Sequence, residues 1–371
     1  MANLEIEVCG IKMKNPVMPA AGTLVRDLDS MRKVASSGVG AMVTKTVSTE
    51  AARDPLPNLA QVDRAFFNCE LWGEISPEIW VNQVLPQARE LGLPLIVSLG
   101  YTSQQIDDLA PRVKPYADAV ELSTHYLGDD LALLIEPIKV ARRHLDVPIW
   151  VKVSPNIPDV KAMAIAAEKA GADAIVAINS LGPTLSIDVE RVLPRLGSPT
   201  GYGWLSGPAL KPLAVRYVYE ISQSVEIPVI GVGGISRGTD VVEMMMAGAS
   251  AVQLLTAAIL NGVETYTRVI QGLESFLDQH GYSSASDIVG LFHRVGRIRY
   301  TSPPLIDQEK CNLCRLCVKS CAYDALAIVG DQLVVDPEKC DICGLCQTRC
   351  PRDAISFQYQ LLPCCNERTL K

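Results

Sequence analysis

A chain of 371 residues, 48% hydrophobic and 20% charged, suits a large domain plus a small one and is too apolar to be disordered. Its net charge of -7 excludes an overall basic field for nucleic acid or an anionic membrane. No run approaches the ~18 uninterrupted apolar residues of a spanning helix, and MANLEIEVCG has no basic start leading into an apolar stretch, so neither a signal peptide nor membrane association is expected.

In chain order, eight short apolar runs read as strands: Val17–Ala21, Ala41–Val47, Pro94–Leu99, Ala119–Ser123, Ile149–Ser154, Ala174–Asn179, Val229–Gly233 and Ala251–Leu255. Amphipathic segments such as Ile157–Ala170 and Asp240–Ala247 lie between them. Buried strands alternating with helices predict an α/β fold, a parallel (β/α)8 TIM barrel over residues 1–300. A doubly wound open sheet is the alternative, but it would normally need fewer strands and a phosphate turn after the first. Two connections, from Ser48 to about Ile79 and from Asn179 to about Pro208, are long. Both follow strands, on the barrel face where active sites are built; loops of this length are functional more often than idle.

The alternation stops near Thr301-Ser302-Pro303-Pro304. Residues 301–371 form a second domain containing an internal repeat, CNLCRLCVKSCAYDAL and CDICGLCQTRCPRDAI. Of the twelve cysteines, eight lie in this repeat; Cys9 and Cys69 precede it, and Cys364 and Cys365 follow it. Such clustering speaks against a secreted disulfide scaffold and for a reduced, cytoplasmic chain. The spacing C-x2-C-x2-C-x3-C occurs twice, and soft thiolates at this spacing suit cubane iron–sulfur clusters. The fourth cysteine of each run serves the other cluster in such ferredoxins. Cys311, Cys314, Cys317 and Cys350 are therefore assigned to one [4Fe-4S] cluster, and Cys340, Cys343, Cys346 and Cys321 to a second. A pair of zinc sites, usually two CxxC pairs on a longer linker, is the weaker alternative. Clusters pass single electrons, so a two-electron enzyme needs a flavin to connect them to substrate.

In the barrel, Gly231-Val-Gly-Gly-Ile-Ser follows the seventh strand and is placed to cradle a phosphate with backbone N–H groups. It is not a dinucleotide fingerprint, because Ser236 stands where the third glycine would be. A mononucleotide, FMN, is expected. Lys45 and Lys152 sit inside apolar strands, where a buried ammonium requires an anion or an electron-rich ring; an internal ion pair with a glutamate is the alternative for each.

NPVMPAAGT (Asn15–Thr23), TKTVS (Thr44–Ser48), DPLPN (Asp54–Asn58), FNCEL (Phe67–Leu71), VKVSPN (Val151–Asn156), INS (Ile178–Ser180), LSGPALKP (Leu205–Pro212), GVGGI and GASAV together make the chain similar to the dihydroorotate dehydrogenase family. The resemblance is nearest to the catalytic C-terminal half, or subunit, of the dihydropyrimidine dehydrogenases, which also ends in a two-cluster ferredoxin domain. It implies FMN held by Ala21, Gly22, Lys45, Lys152, Ser206, Gly207, Gly233, Gly234 and Thr256. It implies substrate contacts from Asn68, Glu70, Ser123, Asn179 and Ser180, with the amides offering donor and acceptor to a cyclic imide and Glu70 accepting from a ring N–H. Tying down loops is the structural alternative for Asn68 and Asn179.

The family reads close to Leu-Asn-Leu-Ser-Cys-Pro after the fourth strand, where this chain has Leu122-Ser123-Thr124-His125-Tyr126-Leu127. Tyr126 occupies the position of the catalytic cysteine, and the loop that follows is short. His125, Tyr126 and Cys69 are the candidate proton donors, His125 having the most suitable ordinary pKa. The expected activity is an FMN- and iron–sulfur-dependent oxidoreductase acting on a C–C bond conjugated to a carbonyl, by resemblance in a pyrimidine or dihydropyrimidine. A different unsaturated substrate, dihydroorotate, and a non-catalytic electron-transfer subunit are the alternatives; against dihydroorotate, Glu70 would repel its carboxylate. The expected partners are a small-molecule substrate and an electron-donor or acceptor protein, either a flavoprotein subunit or a ferredoxin. Family members commonly dimerise through the barrel, and the sequence is compatible with a homodimer.

Overall fold

Eight parallel strands form one sheet in the computed structural model, which describes residues 1–100, 102–123 and 130–363. They are β1 (Val17–Pro19), β2 (Met42–Val43), β3 (Leu95–Leu99), β4 (Ala119–Ser123), β5 (Ile149–Val153), β6 (Ala174–Ala177), β7 (Val229–Val232) and β8 (Ala249–Leu254). Every sequence neighbour is a spatial neighbour: the hydrogen-bonded order runs β1-β8-β7-β6-β5-β4-β3-β2. The seam between β1 and β2 is drawn together by the Gly40 N–H, which donates to the Val17 carbonyl at 2.8 Å. A side chain at Gly40 would place its Cβ 2.0 Å from the Asn15 carbonyl oxygen. Asn15 itself ties the same corner, accepting from the Val17 N–H and donating to the Gly38 carbonyl. The expected (β/α)8 barrel is thus the observed fold. Its strands read as continuous apolar runs because both faces are covered; Leu95–Leu99, Ala119–Ser123 and Ile149–Val153 are buried at every position.

Two of the barrel helices begin at polar side chains that cap them. Thr102 and Gln105 form a reciprocal capping box before Ser103–Val113, and Asp159 accepts from the Ala162 N–H before Val160–Ala170. The latter helix ends at Gly171, which adopts φ 108.

The two long connections are more than cover. Leu59–Val62 and Ala65–Asn68 from the first, and Leu181–Leu185 and Tyr202–Ser206 from the second, form one four-stranded antiparallel sheet. Its central pairing sets Trp204 opposite Asn68 and Ser206 opposite Phe66. Loops more than a hundred residues apart are thereby locked to each other.

The chain divides into Met1–His293 and Arg294–Lys371. The boundary falls before the expected 300/301 because Arg297–Tyr300 pairs antiparallel with Tyr359–Leu362, inside the second unit. That unit contains two further two-stranded ladders, Leu305–Ile306 with Ile355–Ser356 and Leu326–Val329 with Gln332–Val335. It also has two one-turn helices, Leu316–Ser320 and Leu345–Arg349. Its small core is built on Cys317, Leu326, Leu333, Ile355 and Phe357, with Tyr300 stacked on Phe357 at 4.4 Å between ring centroids. No described helix is long and apolar enough to cross a membrane.

Candidate functional site

The C-terminal ends of β1, β5, β6, β7 and β8 open into a cleft. One wall is backbone. Gly233 and Gly234 follow β7 with φ 132 and 74, and Gly207 has φ 80. A Cβ on Gly234 would meet Lys211 Cβ and the Gly207 carbonyl at 2.7 and 2.8 Å, and one on Gly22 would meet Leu255 at 2.3 Å. Glycine is required where this chain turns so tightly, and the turns bare peptide groups to the cleft. Thr256 and Ala257 open a helix at the end of β8, so their N–H groups have no intrahelical acceptor. Ser206 and Thr256 join two walls through hydroxyls 3.0 Å apart. A phosphate and a polar heterocycle fit these donors. Of the residues expected to hold FMN, Ala21, Gly22, Lys152, Ser206, Gly207, Gly233, Gly234 and Thr256 line this one cleft.

The two strand lysines part company here. Lys152, in register with Ser123 across β4–β5, lines the cleft while its Nζ lies 3.6 Å from Glu121 Oε1. Glu121 is fully buried and its other oxygen accepts from Gln253 Nε2 at 2.6 Å. Glu121 Oε1 and Gln253 Oε1 have no hydrogen-bond partner of their own. Lys152 is therefore both paired below and directed to the cleft. Lys45 does not line the cleft: its Nζ is bonded to Glu70 Oε1 at 3.0 Å and Glu74 Oε1 at 3.1 Å. Burial works against the Lys45 charge, but the two carboxylates outweigh it and hold the ammonium above the ordinary lysine value. The ion pair that the sequence offered as the alternative for Lys45 is made here, with two glutamates from the long connection.

The same pairing engages Glu70. It lines the cleft, its Oε1 accepts a hydrogen bond from Lys45 Nζ, and Thr23 Oγ1 lies within 3.1–3.2 Å of both its oxygens. Asn68, Asn179 and Ser180 also line the cleft. Asn68 Nδ2 donates to the Trp204 carbonyl at 3.3 Å, and Asn179 Oδ1 accepts from the Ser180 N–H at 2.8 Å, so each both positions its loop and presents an amide edge. Ser123 is buried at the end of β4 and does not line the cleft. Cys69 is buried outside it, with its thiol against the Pro55 and Pro57 carbonyls and burial pushing its pKa up. Those features oppose a role for Cys69 in proton transfer. His125 and Tyr126 lie outside the described residues, as do Cys364 and Cys365. Glu121, Gln253, Thr23 and Glu74 escaped sequence reasoning. A charged or amide residue in the apolar runs AVELS and AVQLL was the available signal for the first two.

In the second unit, Cys311, Cys314, Cys317 and Cys350 line one cavity, and Cys321, Cys340, Cys343 and Cys346 line another. Each cavity thus gathers three cysteines of one run and the fourth of the other. Backbone conformation repeats every 29 residues: Leu313 and Ile342, Arg315 and Gly344, and Asp324 and Asp353 all adopt positive φ. Ala325 N–H donates to Cys321 Sγ and Ala354 N–H to Cys350 Sγ, each at 3.3 Å. Among the described residues, the only ligand atoms gathered within 4.8 Å of one another belong to Asp54, Glu70 and Glu74, and no three cysteines meet that condition.

A glycine-lined cleft at the strand ends of a barrel, in a chain that also carries a cluster-binding unit, defines a redox enzyme of the (β/α)8 class. Residues 3–277 match dihydroorotate dehydrogenase, and residues 303–352 match a 4Fe-4S dicluster domain. The chain belongs to the dihydroorotate dehydrogenase family and is an oxidoreductase acting on CH–CH bonds. Its relatives include the catalytic subunits of dihydroorotate dehydrogenase B (NAD(+)) from Methanothermobacter thermautotrophicus, 35% identical over 78% of this chain and 98% of the relative. Those of Methanocella arvoryzae, 37% over 77% and 96%, and Pyrococcus abyssi, 33% over 79% and 100%, are similar.

Proposed function

We propose that this protein holds FMN in the barrel cleft, exchanges hydride with a C–C bond conjugated to a carbonyl in a pyrimidine or dihydropyrimidine, and passes electrons through two [4Fe-4S] clusters to or from a partner protein. The observation that carries the reading is the single cleft that joins the glycine-lined cradle and Lys152 to Asn68, Asn179 and Ser180. FMN, when bound, supplies a hydride acceptor and converts two-electron into one-electron steps. The chain supplies the rest. The peptide groups around Gly233–Gly234 and Thr256 hold the phosphate, and Lys152 opposes negative charge on the ring. Asn68 and Asn179 orient the substrate's imide edge. Among the described residues no His, Cys or Tyr lines the cleft, so the proton is assigned to His125 or Tyr126, which follow β4 in sequence. The partner is a flavoprotein subunit or a ferredoxin.

Dihydroorotate is the second reading, favoured by one observation: Lys45 offsets the Glu70 charge that would have repelled its carboxylate. Anaerobic titration of the reconstituted protein with uracil, dihydrouracil and dihydroorotate decides. Flavin bleaching by dihydrouracil, or its reoxidation by uracil, is expected. Bleaching by dihydroorotate alone selects the second reading, and a flavin indifferent to all three overturns both.

A further inference from the structure

The two cysteine cavities come from one repeat, so every residue of one has a counterpart 29 positions away in the other. Most of the environment is duplicated. The N–H···S bonds to Cys321 and Cys350 have the same length, Leu313 and Ile342 have φ 55 and 56, and Cys314 and Cys343 are both exposed. None of these shared features can make one cluster differ from the other.

The charges do differ. Asn312 and Arg315 line the cavity of Cys311, Cys314, Cys317 and Cys350. Their counterparts in the other cavity are Asp341 and Gly344. Beyond the fourth cysteine the bias continues, with Arg352 two residues after Cys350 but Tyr323 two residues after Cys321. Both mismatches at the lining put the more positive residue on the first cavity, while Lys319-Ser320 and their counterparts Thr348-Arg349 carry one positive charge in each half and cancel. An added electron is stabilised by positive charge nearby and opposed by negative charge, and the net charge around a cluster is one of the determinants of its potential. One difference runs the other way: Cys346 is half-buried where Cys317 is buried, and a wetter cluster is easier to reduce. That is a partial change at one ligand, set against two unit charges at the lining, so charge decides the order.

We propose that, granted the two-cluster reading above, the clusters form a polarised pair. The one held by Cys311, Cys314, Cys317 and Cys350 takes the first electron, and the one held by Cys340, Cys343, Cys346 and Cys321 takes the second at lower potential. Each step adds one electron and moves no proton in this scheme, so the full pair stores two electrons, the number carried by one hydride.

The test uses the full chain, reconstituted anaerobically, with iron and acid-labile sulfide counted first. Dithionite titration followed by electron paramagnetic resonance should show two one-electron waves, with the reduced-to-oxidised ratios differing at least tenfold, which is 59 mV for a one-electron couple. Asp341→Asn should raise the lower wave alone. Arg315→Gly should lower the upper wave alone, and because Arg315 sits at φ 62, glycine is accommodated there without strain. Arg315→Lys should leave the upper wave in place, and added salt should narrow the gap because Arg315 and Asp341 are exposed. Asp341→Asn acting on the upper wave, Arg315→Gly acting on the lower, or neither wave moving would overturn the proposal. Iron and sulfide sufficient for only one cluster would instead overturn the two-cluster reading.

Discussion

Trp80, Trp150 and Tyr266 are fully buried in the first unit, within a core that draws on all eight barrel strands. The core of the second unit consists of Cys317, Leu326, Leu333, Ile355 and Phe357, one of them a cysteine aimed at a cluster cavity. Apolar burial, at about 25 cal/mol per Å², can hold a barrel of this size. A unit of fewer than eighty residues with so little apolar core needs metal ligation to stay folded. The same chain thus contains one part stable through packing and another stable through its cofactor.

The largest effect expected from that contrast comes from removing iron. Anaerobic chelation should open the segment from Arg294 onward to limited proteolysis while leaving a resistant fragment ending near His293. Equal protection of both units in the iron-free chain would erase the distinction. Next in size is Glu121→Ala, which leaves Lys152 without its buried partner. A loss of about 3 kcal/mol of barrel stability is expected, from the cost of breaking a buried ion pair, together with weaker FMN retention and unchanged iron content. Denaturant titration and flavin release measure the two. Gly40→Ala strikes the seam between β1 and β2 and should cost about 2–3 kcal/mol by overpacking against the Asn15 carbonyl, seen as a lower barrel melting temperature with the cluster spectrum intact.

The smallest effect is a pH dependence. Burial alone would raise the Asp240 carboxyl, but donation from Lys211 Nζ, the Ser236 N–H and the Ser236 hydroxyl holds it below the ordinary carboxylate range. A carboxyl lowered by folding stabilises the protein above its unfolded value of about 4, and that stability is lost as pH falls through the folded value. Asp240→Asn should therefore flatten the acid limb of the barrel's stability curve and leave stability at high pH parallel to wild type. An unchanged acid limb would remove Asp240 from the account.

Much of the site was legible in the chain because it resides in backbone and spacing. The Gly233–Gly234 turn and Lys152 were readable from their places at strand ends, Gly22, Ser206 and Thr256 came from the family resemblance, and all of them meet in one cleft. The pairing of Lys45 with Glu70 in particular was not legible, because neither residue shows in sequence that a partner 25 positions away will reach it. Glu121 and Gln253, 132 positions apart, are neighbours only because β4 and β8 face each other across a closed barrel.

Alternation of apolar runs with amphipathic segments and the spacing of cysteines are local properties, recorded in adjacent residues, and the amino-acid order alone determined the barrel and the cluster-binding unit through them. Tertiary structure decided which charges are neutralised and which remain available to a ligand. It paired Leu59–Asn68 with Leu181–Ser206 into one sheet, gave Lys45 to Glu70 and Glu74, and left Lys152 between Glu121 and the cleft. The reason is geometric: an ion pair depends on distances of a few ångströms, and those exist only once barrel closure and strand register have brought distant segments together.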